Sequence, residues 1–517
     1  MRAARACVVA AAAAAPAGAH GSGRARSRAR ARAAVGSAGG VGGSGRGAPG
    51  RMKWTSQTAE HISSPLDAGV VNFALGQPAP ALLAGALDLV RRAHAAALAP
   101  DEHEGGRSND GHGHGYAYDH EAALMLQYTR RAGSERFRSA VADFLNARHA
   151  SDAAARASAA SASAATVRAV SPNEVFATSG VSHGLSLCCA RLDHAGRRVA
   201  LLADPTYFLA RPIVEQAGLE PRALVWKDDS GADDAQGDAA GLGIVAAFEA
   251  ACDAVSQESG APPALLYLVP TFANPTALTL GARTRAALVA AAASRGVRVV
   301  ADEVYQLLSF PGAENAPPPP MRHFDPDGAT VISVGSFAKY MAPAMRVGWV
   351  EGCADTVLAP LGDDGVISSG GCGNPLGTAA VAHALRSGDA AAHLDHMRAA
   401  LAERCAALVE ALRVHEGELW ELHARPRGGY FLWLRLKGGV RSEVLLPQAV
   451  SRGVAFCCGS RCAADARAPT AEALAHHVRL SFAMHTPEEL RAGVRRLAEA
   501  VRAYDGSGAP SAGETPG

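Results

Sequence analysis

Lys339 follows Ser336-Phe337-Ala338 just past an apolar run, Val331–Val334. A lysine there is a candidate amine nucleophile, because partial desolvation and nearby cations hold its pKa down. Arg346 lies seven residues on, within reach of the same pocket. Ser179-Gly180 stands between a short apolar run and a helical stretch. Exposed N–H groups and the helix dipole at such a point favour a phosphate. Asp302 closes the apolar run Val297–Ala301, and a carboxylate buried there needs a cation or a donor. Asn274 precedes Pro275, and Tyr305 is three residues beyond Asp302. Each of these residues alone is more often structural than catalytic; their order and spacing together point to a site.

The elements that must position them follow from hydrophobic periodicity. Val175–Thr178, Val199–Ala203, Leu265–Val269, Val297–Ala301 and Val331–Val334 are short apolar runs. They alternate with helical stretches after Gly180, from about Tyr207, and at Ala286–Ala293. That alternation predicts a mostly parallel sheet covered on both faces. Ligands bind at the carboxyl ends of such strands. The runs end on Ser179, Asp204, Asn274, Asp302 and Ser336, so these residues are expected to converge. After Gly373 the pattern changes. One long helix is expected over Ala379–Val414, then strands at Gly428–Leu436 and Val478–Phe482, and helices at Ser442–Ser451 and Pro487–Ala503. Thr486-Pro487-Glu488-Glu489 is a helix start with a cap, an N1 proline and acids against the dipole. The predicted fold class is α/β. It has a three-layer α/β/α large domain over about 70–373, built on the mostly parallel sheet. A smaller α+β C-terminal domain spans 374–505, and 506–517 is a disordered tail. The N-terminal arm is expected to join the small domain or a dimer interface.

The chain has 517 residues, enough for two or three folded units. Fifty basic against 49 acidic residues argue against a general nucleic-acid binder, which needs a basic excess. No run of about 20 apolar residues suggests a membrane span. Ten cysteines are too few for a disulfide scaffold and read as free thiols. Cys457, Cys458 and Cys462 lack a second C-x-x-C pair, so no metal site is expected.

The charge is unevenly spread. Residues 1–59 hold nine arginines, one lysine and no acid, which leaves 40 basic against 49 acidic residues beyond them. An acid-free, Arg- and Ser-bearing start predicts an organelle transit segment over 1–51, for a chloroplast or mitochondrion. A secretory signal, alone or as half of a bipartite address, is one alternative. A disordered tail ahead of a start at Met52, in a cytoplasmic protein, is another. Gly40, Gly42 and Gly45 satisfy G-x-G-x-x-G, but no strand precedes them and no helix follows, so the dinucleotide reading fails. Surface inserts are expected at 100–120 (with His103, His112, His114 and His120), at 149–166, at 228–242 and at Pro317–Pro320.

The ordered motifs resemble the fold-type-I aminotransferases that use pyridoxal 5′-phosphate (PLP), class I/II, in the branch of 2-aminoadipate and kynurenine aminotransferases. The resemblance rests on Asn72–Pro78, Leu126-Gln127-Tyr128, Thr178-Ser179-Gly180, Asp204–Tyr207 and Pro270–Thr276. It continues through Ala301–Tyr305, Gly335–Lys339 with Arg346–Trp349, Gly428–Trp433 and Val478–Phe482. The resemblance implies that Lys339 binds PLP covalently and later shuttles a proton to and from the substrate Cα. It implies that Asp302 pairs with the ring nitrogen, that Asn274 and Tyr305 donate to the phenolic oxygen, and that Tyr207 stacks on the ring. Ser179, Gly180, Val181, Ser182, Ser336 and Arg346 would hold the phosphate. Tyr128 would reach the phosphate of a second copy, which implies a homodimer with a shared active site. Arg479 would bind the substrate α-carboxylate, with Gly76 approaching by its backbone and Asn274 beside it.

Val181-Ser182-His183 and Met345 depart from the family's usual small residues, which puts side-chain contacts to the phosphate in doubt. His183 is expected to be structural. The implied activity is amino-group exchange between an L-amino acid and a 2-oxo acid by a ping-pong cycle. A PLP lyase or synthase acting by β- or γ-elimination is the alternative. A non-catalytic regulator is a third reading, disfavoured because Lys339 and Asp302 are present and residues 1–69 show no amphipathic helical pair.

Overall fold

A computed structural model describes residues 69–99, 125–159, 167–226 and 242–506, apart from 193, 372, 466 and 469. The transit-type segment, the histidine-bearing insert, positions 160–166 and nearly all of 228–242 lie outside the described residues, as does the tail beyond 506.

The described chain opens with β1 (Val71–Asn72), α1 (Pro80–Ala97) and α2 (Glu135–Ala159). Strands and helices then alternate as β2 (Val175–Thr178), α3 (Val181–Arg191), β3 (Val199–Ala203), α4 (Ala210–Gln216) and β4 (Glu220–Leu224). They continue as α5 (Leu242–Ser259), β5 (Leu265–Leu268), α6 (Ala282–Ser294), β6 (Arg298–Asp302), β7 (Val331–Ser336) and β8 (Gly348–Glu351). The seven strands β2 to β8 form one sheet in the order β2-β8-β7-β6-β5-β3-β4. All neighbours are parallel except those of β8, which runs antiparallel to β2 and β7.

The apolar runs behave as strands buried on both sides should. Alternate residues face opposite layers. Leu202, Leu265, Tyr267, Val300 and Val334 pack with α3 and α4 on one face. Leu201, Leu266, Leu268, Val299 and Val331 pack with α5 and α6 on the other. The edge strand β4, with the sequence EPRAL, has no such signature. A sheet edge tolerates proline and charge, so its sequence does not read as a strand.

The C-terminal part contains α7 (Pro375–Arg386), α8 (Asp389–Arg413), β9 (Trp420–Leu422), β10 (Phe431–Leu436) and α9 (Ser442–Ser451). β11 (Val454–Ala455), β12 (Cys457–Cys458), β13 (His477–Ser481) and α10 (Pro487–Arg502) follow. Its antiparallel sheet has the order β12-β13-β10-β9. β1 pairs in parallel with β11, so the N-terminal arm is tied to this part of the chain. At α10 the Thr486 side chain accepts from Glu489 N, and Glu489 reaches back to close a capping box.

Four expectations are corrected. The single helix over Ala379–Val414 is two, α7 and α8, separated at Gly388, whose φ of 84° ends a helical path. The alanine-rich stretch from 149 is not an insert as far as 159, because α2 continues through Ala159 and alanine favours helix. Pro317–Pro320 is mostly buried rather than a surface excursion. The Pro318 and Pro319 carbonyls accept from Gln306 Nε2 at 2.8 Å and Arg285 Nη1 at 2.9 Å, and Pro317 accepts from Arg156. The helix expected from Tyr207 begins at Ala210. Among the described residues no helix is long and apolar enough to cross a membrane.

Candidate active site

β7 ends at Ser336, whose Oγ accepts from Ala338 N at 3.1 Å and tightens the turn Phe337–Lys339. That turn presents Lys339 to a cavity of about 130 Å3. Val181, Ser182, Tyr207, Asn274, Asp302, Tyr305, Ser336, Lys339 and Arg346 all line it, on elements spread over 166 positions of the chain. This is the convergence expected at the carboxyl end of a parallel sheet.

The lysine amine donates to Gly76 O at 2.7 Å and lies 5.6 Å from the Tyr430 ring centroid. Burial first, then the Arg479 charge, lowers its pKa to about 8, against the pull of Asp302. Gly76 admits no side chain here, since a Cβ would stand 2.6 Å from the Phe431 ring. Asp302 is 3% exposed at the end of β6. Tyr267 Oη donates to its Oδ2 at 2.8 Å, and Val304 N donates to Oδ1 at 3.3 Å. Burial raises the Asp302 pKa to about 6, opposed chiefly by the Tyr267 hydrogen bond. Tyr305 is buried beside it, and burial pushes its hydroxyl well above the usual range. Tyr207 is half-buried, with its pKa raised by burial and countered by a hydrogen bond with Ser182.

A second wall is built for an anion. α3 begins at Val181 with no side-chain cap, so its first N–H groups open toward the cavity. The capping residue Gly180 has φ 92°, and a Cβ there would stand 2.9 Å from Arg346 Nη2. Only glycine meets both conditions. Arg346 Nη2 donates to Ser179 O at 2.9 Å, which holds the guanidinium over the helix start. His183 is structural here, its Nδ1 accepting from Ser179 N at 3.0 Å.

β13 does not line the cavity but sets Arg479 against Asn274, which does. Arg479 is 2% exposed, donating through Nη1 to Asn274 Oδ1 at 2.9 Å and through Nη2 to Ala74 O at 2.7 Å. Its Cζ lies 4.1 Å from the Phe431 ring centroid. Its Nε is buried without a hydrogen-bond partner among the described residues. A buried guanidinium N–H left unpaired is costly, and a carboxylate would satisfy it. Asn274 engages Arg479 through its carbonyl oxygen, which leaves its amide NH2 as the group that can donate to a ligand.

Two expected members stand apart. Tyr128 is 86% exposed, against Gly370, and does not line the cavity of its own chain. Asp204 ends β3 but does not join the site; its carboxylate accepts from Ala464 N at 2.7 Å and Thr470 Oγ1 at 2.6 Å. Conversely, the sequence reading gave no role to Tyr267, Tyr430 or Phe431. The signal for Tyr267 was its hydroxyl in the middle of an apolar strand. Cys457, Cys458 and Cys462 are buried free thiols.

The family description "Aminotransferase class I and II" matches residues 118–497. The chain belongs to this aminotransferase family. Its relatives include a 2-aminoadipate transaminase of Thermus thermophilus, 30% identical over 244 residues, 46% of this chain and 58% of that protein. They also include an uncharacterized HTH-type transcriptional regulator of Bacillus subtilis, 27% identical over 236 residues, 45% of each. The chain thus spans about half the length of these curated relatives. The crystal structure of kynurenine aminotransferase from Pyrococcus horikoshii, in complex with PMP, aligns with a TM-score of 0.68 at 21% identity. That alignment covers 87% of this chain and 95% of the other, and it shows the shared fold. As an aminotransferase-family site, the cavity fits PLP by its own features. The cradle at Gly180 and Arg346 suits the phosphate, the buried carboxylate of Asp302 suits a protonated ring nitrogen, and the amine of Lys339 suits the aldehyde.

Proposed function

We propose that the chain is a PLP-dependent aminotransferase that exchanges the amino group between an L-amino acid and a 2-oxo acid by a ping-pong cycle. The observation that carries this is the opening of Lys339, Asp302 and the Arg346–α3 cradle onto one cavity of about 130 Å3. PLP held there would supply an electron sink that acidifies the substrate Cα–H. The residues of the chain supply the rest. Arg346 and the first turn of α3 would anchor the phosphate, and Tyr207 would cover the ring face. Asn274 and Tyr305 would donate to the phenolic oxygen, and Asp302 would accept from the ring N–H. Arg479, with its open Nε, would take the α-carboxylate and fix the Cα above Lys339. The Lys339 amine, its pKa lowered to about 8, exists partly as free base near neutral pH and would carry the proton to and from Cα.

The exposure of Tyr128 supports a homodimer in which Tyr128 of one copy completes the phosphate site of another. The acid-free N-terminus supports import into an organelle, chloroplast or mitochondrion.

The test is a half-reaction. The full chain, loaded with PLP, is mixed with single amino acids in the absence of any 2-oxo acid while the visible absorbance is followed. Conversion to the pyridoxamine form establishes transamination, and the fastest donor gives the substrate class. Ammonia and 2-oxo acid released without an acceptor would identify a lyase instead. No conversion with any donor would favour a regulatory role like that named for the Bacillus relative. Lys339→Ala is expected to lower turnover by at least about 10^3-fold, and full turnover in that variant would sink the reading.

A further inference from the structure

Tyr267 is the one hydroxyl-bearing residue of β5, in a strand otherwise made of leucine. It is fully buried, and it does not line the cavity. Its register explains what it does touch. Tyr267 pairs with Val300 across the β5–β6 ladder. Two residues on, along the same face of β6, is Asp302. A diagonal neighbour on an adjacent strand is within reach of an aromatic side chain. The phenol spans that diagonal and donates to Asp302 Oδ2 at 2.8 Å from behind the site. Val304 N holds the other oxygen at 3.3 Å. The carboxylate thus has one donor on each oxygen and one orientation. We propose that Tyr267 is a positioning residue that fixes the rotamer of Asp302 and keeps it ionised, ready to accept from the ring N–H of a bound cofactor.

A phenylalanine would fill the same space, so packing does not explain the hydroxyl. A buried hydroxyl costs free energy unless it is paired, and a charge-assisted bond to a carboxylate is a strong pairing. The other groups acting on Asp302 do not replace it. Lys339, after β7, favours the ionised form from across the cavity, and the adjacent Glu303 opposes it. The Tyr267 hydroxyl is itself pushed well above its usual pKa by burial and by Asp302, so it remains a donor at every working pH.

This inference rests on the PLP reading, and its test separates the two. Apo-protein of the wild type and of Tyr267→Phe is titrated with PLP and with 1-deaza-PLP, in which the ring nitrogen is replaced by carbon. The wild type is expected to prefer PLP. Tyr267→Phe is expected to lose about tenfold in PLP affinity while 1-deaza-PLP affinity stays within twofold. The pH below which the preference for PLP vanishes is expected to rise by about one unit in the variant, because Asp302 loses the donor that opposes its burial. Equal losses for both ligands would mean a merely structural tyrosine and would overturn the proposal, as would no loss for either. A wild type that binds both ligands equally would remove the pairing of Asp302 with the ring nitrogen and take the proposal with it. Failure of the wild type to bind either would count against the PLP reading itself.

Discussion

The ends of β3 and β6 make an instructive pair. Each closes a buried parallel strand with an aspartate, Asp204 at 6% and Asp302 at 3% exposure. Burial raises the pKa of both. Their donors differ in origin. The donors to Asp204 are Ala464 N and Thr470 Oγ1, some 260 positions away in the C-terminal part of the chain. The donors to Asp302 are Tyr267 and Val304, from the same sheet and the turn that follows it. Asp204 therefore ties one part of the chain to another, whereas Asp302 is held still from behind while its front faces a cavity. The adjoining spaces differ too. Asp204 borders a cavity of about 260 Å3 walled by Trp226, Leu268, Leu280, Trp433 and Leu474, with His423, His477 and the shared Asn274. Asp302 borders one half that size, lined with an amine, an arginine, two tyrosines and an asparagine. The larger space has no amine or guanidinium on its walls. The combination of a buried amine, a carboxylate and an anion cradle marks the site better than volume does.

Substitution should separate the two positions. Asp302→Asn is expected to slow the half-reaction by about 10^2 to 10^4-fold, since an amide cannot keep the ring nitrogen protonated. Its denaturation midpoint should stay near that of the wild type, because removing a buried charge relieves desolvation. An Asp302→Asn enzyme with wild-type half-reaction rates would erase the distinction between the two aspartates.

The second test uses pH. Lys339 is lowered to about 8, most by burial and next by Arg479, while Asp302 pulls it upward. The free-base fraction therefore grows as pH rises through about 8, and the rate of PLP uptake by apo-protein should rise with it and then level. In Asp302→Asn the upward pull is gone, so the inflection should move below 8. In Asp204→Ala it should remain at the wild-type position. An inflection that moves equally in both variants would show that general destabilisation, not local charge, sets the behaviour of the lysine.

Sequence and structure agree where the physics is local. An apolar run followed at once by Ser179 or Asp302, or within five residues by Lys339, is a strand delivering a polar group to a sheet end, and each of these residues is at the site. Asp204 obeys the same local rule and is elsewhere occupied, because Ala464 and Thr470 are brought to it only by the tertiary fold. Tyr267 escaped for the complementary reason. Inside a run of leucines its hydroxyl looks like one more buried aromatic, and only the register with Val300 shows where it points. β4 lacked a signature because an edge strand is free to carry glutamate, proline and arginine. The break at Gly388 was hidden by alanine- and leucine-rich sequence on both sides, where the short cluster Ser387-Gly388-Asp389 is the whole signal. Tyr128, which the resemblance assigns to the phosphate site of a second copy, is 86% exposed and off the cavity of its own chain.

The smallest expected effects test the structural half of the comparison. Asp204→Ala removes the acceptor for a backbone N–H and a hydroxyl, each bond charge-assisted, and should cost about 1.5–3 kcal/mol of stability. Turnover per folded molecule should be unchanged. Thr470→Val removes one of the two donors and keeps the side-chain volume, for a loss of about 1 kcal/mol. The double variant is the sharper measurement. If Thr470 acts only through Asp204, its substitution should cost nothing further once Asp204 is alanine, and the cycle should close with a coupling of about 1 kcal/mol. Additive losses in denaturant titrations would mean that the hydroxyl stabilises its own short helix, Thr470–Leu474, and that the Asp204 junction depends on Ala464 alone.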